Sequence, residues 1–383
     1  MSSSIKRAAS RQKDTGEAIK EIAVQLTLEN RSLVILFFSI DYVGPHLKES
    51  IEKHFADTLV IGCTTAGEIG PLGYANKSIS AIGFSGDHFK TSYVHYPHLS
   101  QLEYNQWAEK SIKGHSEHHS RYKQADDLTT FGLLLIDGMT KHEEPLTRII
   151  SSSIPSMPIV GGSAGDELHY QNTYILLNGE LHTDSGLLLL ITTDLPFTPI
   201  KTQHLKASDK RMVVTEADPK SRTIKEINAR PAAIEYANLL GLSSVQEITT
   251  EILAANPVVV LLGEEEYVRS IQQINADLSL TFYCAIDVGI VMRLAVGGDL
   301  VKSLETTFGE VENRVGPIQA MITFDCILRR IENENRQLAE TVSALFQKYH
   351  CVGFNTYGEQ FNGLHVNQTC TAIAIGYRND DKE

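Results

Sequence analysis

The sequence predicts a mixed α/β protein of two domains, with mixed β-sheets flanked by helices and built from a repeated β-α-β-glycine-turn unit. Three observations predict it. One pattern occurs three times: an apolar strand ending in an acid, a helix, a short second strand, a glycine-rich turn carrying an acid, then further strands. The longest apolar runs, such as Gly186 to Ile191 and Val258 to Leu262, have the length of strands. A strand-rich stretch without the pattern separates the second copy from the third.

The first copy opens with helical spacing at Ala18, Ile19, Ile22, Ala23 and Leu26. An apolar strand follows from Ser32 to Ile40, ending in Asp41. Leu47, Ile51 and Phe55 mark one helix face, and Thr58 to Ile61 runs into the turn Gly62 to Glu68. The second copy has a strand from Phe131 to Ile136 ending in Asp137, a helix from Glu143 to Ser152, and a turn from Gly161 to Asp166. The third has a strand from Ile318 to Phe324 ending in Asp325, helical periodicity from Ile327 to Tyr349, and a turn from Gly353 to Glu359. The acids Glu68, Asp166 and Glu359 read as equivalent.

Met1 to Asp14 reads as flexible. Between copies two and three, Arg211 to Glu216 and Thr223 to Ile227 read as a hairpin around Ala217-Asp218-Pro219-Lys220. Asn228 to Leu240 reads as a helix, with Asn228 as its cap and Pro231 in its first turn. Pro257 to Gly263, Tyr267 to Ile274, Thr281 to Ile286 and Val291 to Val296 read as strands. These signals divide the chain into an N-terminal flexible or helical segment (1–28), a first domain (29–220), a second domain (221–378) and a polar tail (379–383).

The formal net charge of −13 argues against a nucleic-acid-binding surface. No apolar run approaches the ~20 residues that span a bilayer, and the N-terminus lacks the apolar core of a signal peptide. The five cysteines are odd in number and lack CxxC spacing, which points to a reducing, cytoplasmic setting and to small buried hydrophobes.

The turns carry the candidate chemistry. Gly62, Thr64, Gly67 and Glu68, with Gly161, Gly162, Gly165 and Asp166, match neither GxxxxGK[ST] nor GxGxxG. Their glycines still permit close backbone approach to a ligand or to a packed sheet. No GxSxG elbow is present, and Cys351 beside His350 points to the opposite strand face, so acyl transfer through Cys63 or Cys351 is disfavoured. His115, His118 and His119 have spacing that aligns ligands on a helix, but their polar surroundings read as a solvated loop. His365 lies in a segment dense in aromatic, amide and glycine residues. An imidazole near Phe354, Tyr357 and Phe361 suits haem iron, with Glu359 or a carbonyl to orient the ring.

The segments Ile61 to Ile69, Gly161 to Asp166, Ile227 to Ala232 and Gly353 to Thr369 resemble, in order, the motifs of the FIST N and FIST C domains. The resemblance implies a cytoplasmic, non-enzymatic sensory module that binds a small ligand. Within the family, the chain is similar to bacterial haem-binding nitric-oxide sensors that act on a histidine kinase and cyclic-di-GMP output. That likeness implies haem b, with His365 as axial ligand. It also implies Tyr357 as pocket wall, Glu359 as orienting partner, Arg230 as propionate partner, and Phe354, Phe361 and Asn367 as pocket residues. The chain reads as FIST throughout, so its signal would pass to a separate partner, and a homodimer is compatible with it. A FIST module for an amino acid or other metabolite, without haem, stays open.

Overall fold

The computed structural model describes residues 4–101, 103–122, 128–262 and 265–378, so the 379–383 tail and residues 1–3 lie outside the described residues. The chain forms three repeats. The first runs β1 (Ile5–Ser10), α1 (Thr15–Gln25), β2 (Arg31–Phe38), α2 (Pro45–His54), β3 (Leu59–Thr64), a hairpin of β4 (Glu68–Gly70) and β5 (Gly73–Ala75), and β6 (Ile79–Ser85). The second runs β7 (Phe89–Tyr96), α3 (Tyr104–Tyr122), β8 (Thr129–Ile136), α4 (Glu143–Ser153), β9 (Ile159–Ser163), a hairpin of β10 (Ile175–Leu177) and β11 (Glu180–His182), and β12 (Gly186–Thr193).

The third repeat opens with β13 (Phe197–Thr202) and is then interrupted. The insert comprises β14 (Leu205–Asp218), β15 (Thr223–Ile227), β16 (Arg230–Pro231), α5 (Ala232–Leu240), α6 (Thr250–Ala255), β17 (Val258–Leu262), β18 (Glu265–Arg269), β19 (Ile271–Ile274), β20 (Leu280–Phe282) and β21 (Val291–Gly297). The repeat resumes with α7 (Leu300–Val315), β22 (Ile318–Cys326), α8 (Ile327–Asn335), α9 (Ala339–Lys348), β23 (Cys351–Thr356), a hairpin of β24 (Glu359–Phe361) and β25 (Leu364–Val366), and β26 (Cys370–Gly376).

Each repeat builds a sheet in the same order: β1-β6-β2-β3, β7-β12-β8-β9 and β13-β26-β22-β23. In each, the last two strands are parallel and the rest antiparallel. Each sheet is completed by a hairpin from another repeat. The β10–β11 hairpin extends the first sheet, β24–β25 the second and β4–β5 the third. The exchange is cyclic, and it covers the edge that each parallel pair would otherwise expose.

The three sheets face one shared core. Leu33, Ile35 and Phe37 of β2 meet Phe131, Leu133 and Leu135 of β8 and Ala320, Ile322 and Phe324 of β22 there. Intervening residues pack outward on helices: Val34, Leu36 and Phe38 with α1 and α2, Leu134 and Ile136 with α3 and α4, and Met321 with α7 and α9. Burial on both faces is why these strands read as unbroken apolar runs rather than alternating ones. The insert's sheet, in the order β18-β17-β21-β14-β15-β20-β19, has its own core of Met212, Val214, Tyr236, Phe282 and Met292 under α5 and α6.

Gly62, Gly161 and Gly353 occupy one repeated position. A Cβ there would lie 1.9, 1.9 and 1.6 Å from the carbonyl oxygens of Leu36, Leu134 and Thr323 on the parallel partner strands. Close sheet packing therefore requires glycine at all three.

The structure corrects several sequence readings. Ile5–Ser10 is a strand, held against β6, rather than a flexible segment. The stretch with His115, His118 and His119 is helix α3, because Trp107 and Ser111 bury one face of it and His118 lies in the same stripe. Asn228 does not cap α5. It has a φ of 52° in a turn with Ala229, and its side chain accepts from Val213 N and donates to Glu235, while Pro231 precedes the helix. The periodicity from Ile327 to Tyr349 is two helices, broken where Gln337 takes a φ of 58°.

The terminal acids are not equivalent either. The N–H groups of Ser39, Asp137 and Cys326 donate to Ser78, Ser185 and Thr369 carbonyls at 3.1, 2.9 and 3.1 Å, which identifies those three as the matching positions. Asp41 and Asp325 therefore fall on either side of the Asp137 position.

Candidate functional site

The three glycine turns meet at one end of the shared core. Ala66 N–H donates to Asn355 O at 3.0 Å, Gly165 N–H to Thr64 O at 3.0 Å and Tyr357 N–H to Ser163 O at 3.2 Å. Each repeat's turn is thus pinned to another repeat, and the three bonds form a ring. Gly165 is needed at the contact, since a Cβ there would lie 2.7 Å from Ala66 N.

The acids of these turns do different work. Glu68 pairs its strand with Cys63's equivalent in the third sheet, at Phe354. Glu359 occupies the same place opposite Gly162 in the second sheet. In the first sheet that place, opposite Cys63, belongs to Ile175. Glu68 accepts from Thr65 Oγ, Ser78 Oγ and Ser78 N–H. Glu359 accepts from Thr356 Oγ, Thr369 Oγ and Thr369 N–H. Burial outweighs these donors and pushes Glu68 up to about 7 and Glu359 up to about 8. These two carboxyls fasten the exchanged hairpins.

Asp166 is not their equivalent. The second turn carries an insertion before Ile175, and Asp166 organises it by accepting from the N–H groups of Tyr170, Gln171 and Asn172 at 2.8, 2.7 and 2.9 Å. Tyr357 O–H donates to the Asp166 carboxylate, and its oxygen accepts from Leu168 N–H at 2.9 Å. The loop is thereby folded over the third turn. Its Tyr170 ring stacks on Tyr357, with centroids 4.8 Å apart and planes at 24°.

A cleft of about 110 Å³ opens beside this stack, where the insert's sheet faces the seam between the second and third repeats. Tyr170 and Tyr357 form one wall, with Gly138 and Met139 at the end of β8. Tyr283, Phe282, Gln272 and Arg222 come from the insert. Tyr170 and Tyr283 hydroxyls approach to 3.3 Å across it. Arg222 donates to Tyr283 O at 2.6 Å, to Lys141 O at 3.2 Å and to Glu143 at 2.9 Å. Arg269 makes a parallel link from the insert, pairing with Glu144 at 3.4 Å and donating to His365 O at 2.9 Å. Groups from three chain regions therefore converge on one small, aromatic-walled space, the arrangement expected of a ligand site. Larger hollows, of about 660, 490, 490 and 200 Å³, lie elsewhere. They lack this convergence with the turn motifs, although Phe361 lines the second beside Lys201.

The remaining expected residues are dispersed. Phe354 is in the shared core. Gly162 packs against Thr356 and Phe354, and Thr64 Oγ accepts from Tyr174 N–H at 3.0 Å. Gly67, at φ 135°, leaves room for the Arg330 guanidinium. Asn367 is buried, with Oδ1 lacking a partner among the described residues. Arg230 is on the surface, its side chain 64% exposed and paired with Glu235, and it is not in the cleft lining.

His365 is 2% exposed on β25. Burial, then the charges of Arg222 and Arg269, hold it neutral, well below the usual imidazole range. Gln360 Nε2 donates to its Nδ1 at 3.2 Å, which puts the ring proton on Nε2. The Gly358 main chain crosses that edge of the ring: a Cβ at Gly358 would lie 2.3 Å from Cε1 and 2.6 Å from Nε2. A metal–imidazole bond of about 2 Å needs a bare, unprotonated nitrogen facing open space. The residues around His365 do not fit haem in this conformation. Among the described residues, no group of three or more His, Cys, Asp or Glu is placed to hold a metal ion.

Arg222, Gln272, Tyr283 and Tyr170 were not legible as site residues. Gln272 sits on β19, Arg222 in the turn between β14 and β15 at a φ of 55°, and Tyr283 just beyond β20, and only the tertiary fold brings them to the turn.

Three repeats that exchange hairpins, with an inserted sheet facing one seam, define a two-part α/β scaffold with a small cleft between the parts. The FIST N domain model matches residues 32–230 and the FIST C domain model residues 232–362. The chain belongs to the FIST family, whose domains are signal-transduction sensors of small ligands. No curated protein matches it. No helix among the described residues is long and apolar enough to cross a membrane.

Proposed function

We propose that this chain senses a small polar metabolite in the cleft between the third glycine turn and the insert's sheet. The observation that carries the reading is the convergence of Tyr170, Tyr357, Tyr283, Gln272 and Arg222 on one space. A volume near 110 Å³ suits a ligand no larger than the smallest amino acids. Its hydrogen-bonding groups would meet Gln272 and the tyrosine hydroxyls. Ligand contact on both sides would tighten the Arg222–Glu143 and Arg269–Glu144 links, and so change how the insert sits on the repeats. A separate signalling protein, such as the histidine kinase that the family resemblance suggests, would read that change.

The test is a thermal-shift screen with the twenty L-amino acids and small carboxylic acids, repeated on Gln272→Ala and Tyr283→Phe. A ligand at 100 times its Kd raises stability by about 2.7 kcal/mol. Stabilisation lost in both variants supports the reading, and stabilisation kept in both removes the ligand from the cleft. Haem titration belongs in the same experiment. Uptake with an imidazole-ligated spectrum that disappears in His365→Ala would overturn this proposal in favour of a haem-based nitric-oxide sensor.

A further inference from the structure

Helix α3 carries a second candidate site, outside the cleft and its turns. Of its three clustered histidines, His118 is committed to the fold. Its Nδ1 bonds Ser92 Oγ at 2.6 Å and its Nε2 bonds Thr192 Oγ1 at 2.8 Å, and it is 3% exposed. His115 and His119 are one helical turn apart on the outer side. Their rings lie nearly parallel, with centroids 6.1 Å apart and planes at 28°. Neither ring has a hydrogen-bond partner among the described residues. Both line one hollow of about 200 Å³, together with Thr130, Ser156 and Thr192.

We propose that His115 and His119 chelate a divalent transition-metal ion of the copper, nickel or zinc type. Two imidazoles at the i and i+4 positions of a helix share a face and suit these ions. With metal–nitrogen bonds of 2.0–2.1 Å at near-tetrahedral or square angles, the ring centroids must approach to about 5 Å. The closure of about 1 Å from the present spacing needs only rotation of the exposed His119 side chain. Water entering the hollow would complete the coordination, since the Thr130 and Thr192 hydroxyls bond each other at 2.6 Å and Thr192 also bonds His118. The site is not that of a zinc peptidase. Such a helix places glutamate directly after the first histidine, whereas here Ser116 follows His115, and Glu117 pairs with Lys113 at 3.9 Å.

The whole chain is titrated with Cu²⁺, and separately with Zn²⁺, by calorimetry and, for copper, by electron paramagnetic resonance. One equivalent binds, and the copper spectrum shows coupling to two nitrogens. Binding weakens about tenfold or more in His115→Ala and in His119→Ala, because each variant turns a chelate into a single contact. It weakens further as pH falls from 7 to 5 and protons compete for the rings. His46→Ala, an exposed helical histidine elsewhere, leaves it unchanged. Equal affinity in wild type and both α3 variants, or a one-nitrogen spectrum, overturns the proposal. Circular dichroism of each variant, expected to match the wild type, separates loss of the ligand from loss of the helix.

Discussion

The first and third exchanged hairpins occupy matching places, yet the first is sealed and the turn leading into the third borders a cleft. On the first, Tyr74 takes the position that His365 holds on the third, since Tyr74 pairs with Ile69 and His365 with Gln360 in the same register. Above Tyr74 the chain supplies its own cation. Arg330 lies 4.9 Å over the ring and donates to Ala75 O and Asn355 Oδ1, each at 3.0 Å. Beneath it, Tyr74 O–H donates to Asp325, which also pairs with Arg329 at 2.8 Å, both side chains fully buried. Among the described residues, the third hairpin has no such helix-borne arginine. Its cation, Arg269, comes from the insert, donates to His365 O and pairs with Glu144. A seam closed by its own helix is structural, whereas a seam closed by a separate sheet can respond to what lies between them.

That contrast is open to test, beginning with the sealed seam. Arg329→Ala strands Asp325 as an unpaired buried charge and should cost about 3–5 kcal/mol in denaturant unfolding. A loss below about 1 kcal/mol would mean that the network does not hold the seam. Next, Gly67→Ala places a Cβ 2.1 Å from Arg330 Nη1 at a φ of 135°. It should cost about 3 kcal/mol, and Arg330→Ala should relieve part of that loss in the double variant.

The buried glutamates give a pH signature. Both are raised above the value of 4.5 that they have when unfolded, so the folded state binds more protons. Their contribution is complete below about pH 4.5 and is lost as pH rises through about 7 for Glu68 and about 8 for Glu359. Stability should fall across that window by at most about 1.4 kcal/mol per pH unit for each group. Unfolding curves from pH 5 to 9 check this, and Glu359→Gln should flatten the upper part of the fall. At the open seam, Tyr283→Phe removes only the hydroxyl contact with Tyr170 and should cost about 1 kcal/mol or less, while raising hydrogen exchange in residues 167–174.

Much of the architecture was legible because burial on both faces writes strands as plain apolar runs. The three copies were visible from Phe131 to Ile136, Ile318 to Phe324 and their fellows. Hairpin exchange was not, because the local sequence of β4–β5 or β24–β25 says nothing about which sheet receives it. The equivalence of Glu68, Asp166 and Glu359 failed for a related reason. An insertion in the second turn shifts Ile175 into the shared place, and spacing from the glycines conceals it. Within the candidate site, Tyr357 was readable from its motif. Arg222 and Tyr283 were not, since nothing near them in sequence marks them as facing a turn over seventy residues away. The chemical type of His365 was plain, but its enclosure by Gly358 and Gln360 depends on the folded hairpin.

The central claim is that ligand enters the cleft between the third turn and the insert. The most direct measurement is a methyl spectrum of the protein labelled at its six methionines, titrated with a ligand that stabilises it. Met139 lines the cleft, whereas Met157, Met292 and Met321 lie in other packed clusters. The account predicts that the Met139 signal shifts first and most. A saturating ligand that leaves Met139 unmoved while shifting Met157 or Met321 would contradict it.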